Sequence, residues 1–165
     1  MRKIIVVLAV LFTANLACKK EQIGDRLCAC SPVTYPYLSL VIKNSADQDL
    51  LNPVIAGYYS QDQIQLFQKE GNGTIKQLSF AVRPPFSYGK GQFIYYQLFS
   101  QEIVLLAKAT DQVFYLKLGD RPAFELNLQV NNNSRKVEKL FIDKNDAPID
   151  TGVVSQYTSI FYLRM

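Results

Sequence analysis

The run Phe124–Val130 constrains the fold more than any other part of this chain. Phe124, Leu126, Leu128 and Val130 alternate with Glu125, Asn127 and Gln129. A period of two sets apolar side chains on one side of a strand and polar ones on the other, so the segment can cover a core while its back faces water. The same period recurs where Leu38, Leu40 and Ile42 alternate with Ser39, Val41 and Lys43. It recurs again where Leu78, Phe80 and Val82 alternate with Ser79, Ala81 and Arg83. Further runs rich in Val, Ile, Phe and Tyr occupy Gln63–Gln68, Gln92–Phe99, Ile103–Lys108, Val113–Leu118, Lys136–Ile142 and Thr158–Arg164. Such residues suit a pleated surface. Turn-forming clusters separate the runs: Gly71-Asn72-Gly73, Pro84-Pro85, Gly89-Lys90-Gly91, Gly119-Asp120-Arg121-Pro122 and Asn131-Asn132-Asn133-Ser134. No long window carries a helical stripe, although Gln61-Asp62-Gln63 can open a short helix. The pattern predicts an all-β fold, an antiparallel β-sandwich of immunoglobulin-like or related type with eight to nine strands.

The first residues read as an address rather than as part of that fold. Arg2 and Lys3 precede nine unbroken apolar residues, Ile4 through Phe12. A bilayer-spanning helix needs about 20 mostly apolar residues, and Lys19, Lys20 and Glu21 close this run early. Charge, short apolar run and small residues together make a secretory signal peptide over residues 1–17. Its ending, Leu16-Ala17-Cys18, resembles the lipobox of bacterial lipoproteins, and Cys18-Lys19-Lys20-Glu21 resembles the looser boxes of Bacteroidota, in which Asn15 can stand where leucine is usual. The resemblance implies that Cys18 receives a diacylglyceryl group and becomes the first residue of the mature chain. The stretch Pro36–Asn44, followed by Asp49-Leu50-Leu51-Asn52-Pro53, is similar to the opening of small Bacteroidota lipoproteins. That likeness implies an exported β-rich domain and brings no catalytic residues with it. The expected organisation is a signal peptide (1–17), a lipidated N-terminus and tether (18–36) and one β-domain (37–165). The expected location is the cell envelope, lipid-anchored at the outer membrane. The bilayer is then a partner through acylated Cys18, since two or more acyl chains anchor a protein stably.

Composition narrows the function classes. The chain has no histidine, which removes Ser-His-Asp and Cys-His catalysis and histidine-ligated zinc. No Gly-x-Ser-x-Gly elbow and no glycine-rich phosphate loop occurs. An enzyme is therefore not expected, and no cofactor or metal is called for. The formal net charge of +4 falls to +2 once Arg2 and Lys3 leave with the signal. No basic stripe of the kind nucleic acid requires is left.

Cys28 and Cys30 flank one residue. They are candidates for a local disulfide, which would be strained at that spacing, or less readily for a redox pair or soft-metal site. Asp143, Asp146 and Asp150 concentrate carboxylates in a segment that suits a turn better than a calcium loop. Ten tyrosines include the adjacent pairs Tyr58-Tyr59 and Tyr95-Tyr96. Neighbours on a strand face opposite sides, so these four are candidate ligand-facing aromatics. Two functions stay open: a non-catalytic binding or structural domain that meets an envelope protein partner, and a surface glycan-binding lipoprotein.

Overall fold

The computed structural model describes residues 36–71, 73–109, 112–131 and 136–165. Cys18, Cys28 and Cys30 lie outside the described residues, as do the signal peptide and most of the expected tether. Among the described residues there are twelve strands and one α-helix. The strands are β1 (Leu38–Lys43), β2 (Ile64–Lys69), β3 (Ile75–Gln77), β4 (Ala81–Arg83), β5 (Phe86–Tyr88) and β6 (Gly91–Phe93). They continue with β7 (Gln97–Ser100), β8 (Phe114–Leu118), β9 (Phe124–Val130), β10 (Val137–Ile142), β11 (Asn145–Asp146) and β12 (Phe161–Arg164). The helix, α1, spans Glu102–Ala109 between β7 and β8.

Two sheets share one core. The first has the order β12-β1-β7-β4, the second β11-β10-β9-β8-β2-β3, and β5 and β6 form a separate hairpin. Leu38, Leu40, Ile42, Leu98, Phe161 and Leu163 from the first sheet pack in one cluster with Leu66, Phe114, Leu116, Leu126 and Leu140 from the second. The architecture is an all-β sandwich, as the alternation predicts. All pairings are antiparallel but one. β12 runs parallel to β1, with Val41 beside Tyr162 and Lys43 beside Arg164.

Three expectations are corrected. Ile103–Lys108 lies within α1 rather than in a strand. Ser100 Oγ accepts the Ile103 N–H at 3.4 Å, Glu102 sits in the first turn where the helix dipole favours an acid, and Ile103, Val104 and Ala107 supply a helical apolar stripe. The helix packs on β9. The run Leu78–Arg83 is not one strand. β3 ends at Gln77 in the second sheet, Leu78 donates to the Leu66 carbonyl at 2.8 Å, and the chain then crosses to the first sheet as β4. Leu78, Phe80 and Val82 all face the main core as their spacing requires, but they do so while changing sheets. The run Gln92–Phe99 is likewise split into β6 and β7, with Ile94-Tyr95-Tyr96 as the link.

β1 departs from the half-buried strand that its alternation predicts. All six of its residues are buried. Leu38, Leu40 and Ile42 enter the main core, while Val41 enters a second cluster with Phe93, Val154 and Ile160. The back of the first sheet is therefore covered as well, by the β5–β6 hairpin and by the segment before β12.

Candidate functional site

The strand registers decide which side chains share the back of the first sheet. Leu40 stands opposite Leu98 and Val82 opposite Leu98, so these three point into the main core. By the period of two, Ser39, Gln97, Phe99 and Arg83 point the other way. Arg83 and Gln97 are direct cross-strand partners. On the far side of β1 the same face carries Lys43 and Tyr162.

One half of this face is closed. Phe93, Tyr95 and Tyr162 pack edge to face, with centroids 5.7 and 6.3 Å apart. Lys43, only 3% exposed, places Nζ 3.8 Å from the Tyr95 ring centroid and 5.1 Å from that of Tyr162. Its ammonium also reaches Asp47 Oδ2 at 3.1 Å, and Asp47 holds Arg164 from the neighbouring strand at 3.3 Å. Burial lowers the Lys43 pKa, but Tyr95 and Asp47 outweigh it and hold the value above the ordinary 10.5. The lysine is a fixed cation between two rings, not a poised nucleophile. Asp49, buried beneath the same link, accepts from Tyr96 N–H at 2.7 Å and Leu51 N–H at 3.0 Å. Burial raises its pKa despite those bonds.

The other half is open. A cleft of about 310 Å³ is lined by Tyr37, Arg83, Pro84, Pro85, Phe86 and Gln97. Two of its side chains have unusual polar environments. Gln97 is 3% exposed, and Ser39 Oγ donates to its Oε1, yet its Nε2 has no partner. A hydroxyl both donates and accepts, so turning the amide over would pair Nε2 and strand Oε1 instead. Either way one polar end of a buried amide is left over, on a residue that lines the cleft. Leaving such a group unsatisfied costs about 1–3 kcal/mol, so the residue sits there against the interest of the fold. Arg83 is the second case. Its guanidinium carbon lies 3.2 Å from the Phe99 centroid and 5.7 Å from that of Tyr37. Tyr37 packs on Phe99 at 4.3 Å. Among the described residues no carboxylate pairs with Arg83. The lining therefore offers hydrogen bonds, a positive charge and flat apolar walls. Among the described residues it holds no acid and no nucleophile beside a base.

A second cleft, of about 360 Å³, lies between Ala107, Gln112 and Asn127–Gln129. Its buried unpaired atom, Gln112 Oε1, belongs to a side chain that is itself half-exposed, and among the described residues no charged group lines it.

The four tyrosines proposed from sequence line neither cleft. Tyr59 and Tyr96 pack against the main core, and Tyr95 packs in the second cluster. Tyr58 is 40% exposed. No ring contact among the described residues joins any two of them. The acidic segment is turn chemistry. Asp143 and Lys144 both adopt positive φ, at 48° and 67°, the signature of a two-residue hairpin turn joining β10 to β11. Asp143 Oδ1 accepts the Glu125 N–H at 2.8 Å, Asp146 stands opposite Phe141, and Asp150 is occupied by Tyr162, Ser155 and Gly152.

The fold is thus an all-β sandwich whose smaller main sheet carries on its back an open cleft with a buried, under-satisfied glutamine in its lining. No known protein family, no curated protein and no solved structure matches the chain.

Proposed function

We propose that this protein is an envelope lipoprotein, anchored through Cys18, whose β-sandwich binds a ligand without transforming it. The N-terminal pattern of charge, short apolar run and Leu16-Ala17-Cys18 supports the anchor. Lys19 follows the cysteine where an aspartate would favour retention at an inner membrane, which supports the outer membrane as the location. The observation that supports the binding role is Gln97, a buried residue with an unpartnered amide end, in the lining of a cleft that also holds an arginine with no carboxylate partner among the described residues. A ligand that supplies the missing partner recovers energy that the unliganded fold gives up.

Each half of the reading has its own test. Fractionation of cells is expected to place the wild-type chain with membranes and Cys18→Ala in the soluble fraction. Identical soluble behaviour of the two would refute the anchor. Protease treatment of intact cells then distinguishes a surface from a periplasmic face. For the cleft, the purified full-length chain in detergent is screened against a fragment library by ¹⁵N NMR. Ligands are expected to shift the Gln97 side-chain amide and Arg83 together. A library that moves neither sinks the cleft as a binding site.

A further inference from the structure

We propose, building on the cleft as the binding site, that its ligand is a carboxylate carried on an apolar group. The acid sits between the Arg83 guanidinium and the Gln97 amide, and the apolar group lies against Tyr37, Phe86 and the two prolines.

The charge comes first. Arg83 has a full positive charge, and among the described residues it has no carboxylate partner and no acid lines the cleft to repel an anion. Its guanidinium carbon lies over the Phe99 ring, 3.2 Å from the centroid. A guanidinium packed on a ring keeps N–H donors that can read a carboxylate with two bonds at once. Gln97 adds a donor of the right kind. With Ser39 donating to Oε1, the free atom is Nε2, which has hydrogens to give and nothing to receive them. The two donors are placed together by the direct cross-strand pairing of Arg83 with Gln97.

The rest of the lining says what else the ligand carries. Apart from the Tyr37 hydroxyl, the remaining walls are proline and aromatic rings. A sugar ring with hydroxyls on every side would leave most of them without partners there, at a cost for each. A group with one acid and one apolar body suits this lining. The cleft's volume of about 310 Å³ lies at the small end of ligand sites, which run from about 300 to 1,000 Å³. It holds an acid and one side chain, not a length of polymer. A free aryl or alkyl acid and the last residue of a peptide both present this chemistry.

Four probes test the inference on the full-length chain in detergent by calorimetry and ¹⁵N NMR: N-acetyl-phenylalanine, its uncharged amide, 3-phenylpropionate and glucuronate. Binding of the first and third is expected, with shifts at Arg83 and Gln97. The amide is expected to bind about tenfold more weakly or worse, as loss of a charge-assisted bond dictates. Arg83→Gln is expected to remove that preference, so that acid and amide bind with similar, weak affinity. The substitution also gives up the contact with Phe99, so binding to the variant is measured well below its own melting transition. Phenylpropionate binding as tightly as N-acetyl-phenylalanine identifies a free acid as the source, and a clear preference for the latter identifies a chain terminus. Equal affinity for acid and amide overturns the carboxylate and leaves the cleft standing as a binding site. Binding of glucuronate alone overturns the apolar body. If neither these probes nor any library fragment moves Gln97, the inference falls together with the cleft.

Discussion

Asp150 ties the segment before β12 to the back of the first sheet, and its removal gives the most decisive test of how that face is closed. Its backbone N–H donates to the Ile160 carbonyl at 2.8 Å. Its Oδ1 accepts from the Tyr162 hydroxyl at 2.7 Å, and its Oδ2 accepts from Gly152 N–H at 2.9 Å and from Ser155 Oγ. Burial pushes the carboxyl pKa up, but the three donors outweigh it and hold the value below the ordinary 3.8. Burial and Asp150 together raise the Tyr162 pKa. A hydrogen bond to a charged group contributes about 1.5–3 kcal/mol when buried. Asp150 is half-exposed, so water can replace part of what Gly152 and Ser155 lose, and the sum must be discounted to about 2–3 kcal/mol for Asp150→Ala. For a domain of this size that lowers Tm by roughly 6–12 °C. Asp150→Asn keeps one acceptor oxygen and should cost about 1 kcal/mol. Tyr162→Phe should cost a similar amount, and combining it with Asp150→Ala should cost less than the two singles added, because both remove the same bond. The pH dependence has a definite sign. A carboxyl whose folded pKa is depressed contributes stability above its unfolded value, near 3.8, and loses it as pH falls through the lower folded value. The gap between wild type and Asp150→Asn should therefore narrow below about pH 4. Urea denaturation at pH 7 and at pH 3 measures both effects. An Asp150→Ala variant within about 0.5 kcal/mol of wild type at pH 7, the scatter of an ordinary surface change, would refute the reasoning.

Three further perturbations have expected outcomes. Leu40 is fully buried between β12 and β7, so Leu40→Ala should cost about 3–5 kcal/mol in chemical denaturation, the range of a core cavity. A Cβ at Gly91 would lie 3.1 Å from Val154 Cγ2 and 3.2 Å from Val153 Cγ1. Gly91→Ala should therefore destabilise by about 1 kcal/mol, and a Val154→Ala background should relieve the clash, seen as favourable coupling in a double-mutant cycle. Glu102 Oε2 accepts from the N–H and the hydroxyl of Ser79, both at 2.8 Å. Those bonds, assisted by Lys76, hold its pKa below 4.5, so its stabilisation is present above that value and is lost as pH falls through the folded one. Glu102→Gln should flatten the acid limb of a stability–pH curve while changing neutral stability by less than about 1 kcal/mol.

The strands were legible wherever one face meets the core and the other meets water. Phe124–Val130 is β9 over the full length that its alternation marks, and Val113–Leu118 becomes β8 within one residue. Ile103–Lys108 misled because Ile, Val and Leu in a short run satisfy either period, and only the placement of Ser100 and Glu102 at its start favours a helix. The crossing at Leu78–Phe80 was hidden for another reason. Alternation reports which side faces the core, and a segment that changes sheets across a shared core keeps the same side inward throughout. Pairing partners are a property of the whole chain, so nothing local distinguishes β3 from β4.

The cleft was less legible than the core, and the reason lies in how polar residues were weighed. Adjacent tyrosines drew attention because they are large, yet Tyr95 and Tyr96 spend their rings on two different clusters. Ser39 stands on the polar side of the alternation, where a residue between apolar ones ordinarily meets water. In a strand covered on both faces such a residue becomes a buried polar group that must find partners. The signal was present in Leu38–Lys43, where Val41 breaks the polar side of the alternation and implies cover on that face too. Once β1 is known to be buried throughout, Ser39 needs a partner, the register supplies Gln97, and Gln97 needs one more than the fold provides. That unmet bond, with the unpaired charge of Arg83 beside it, is the physical reason to look for a ligand there rather than at the exposed Tyr58.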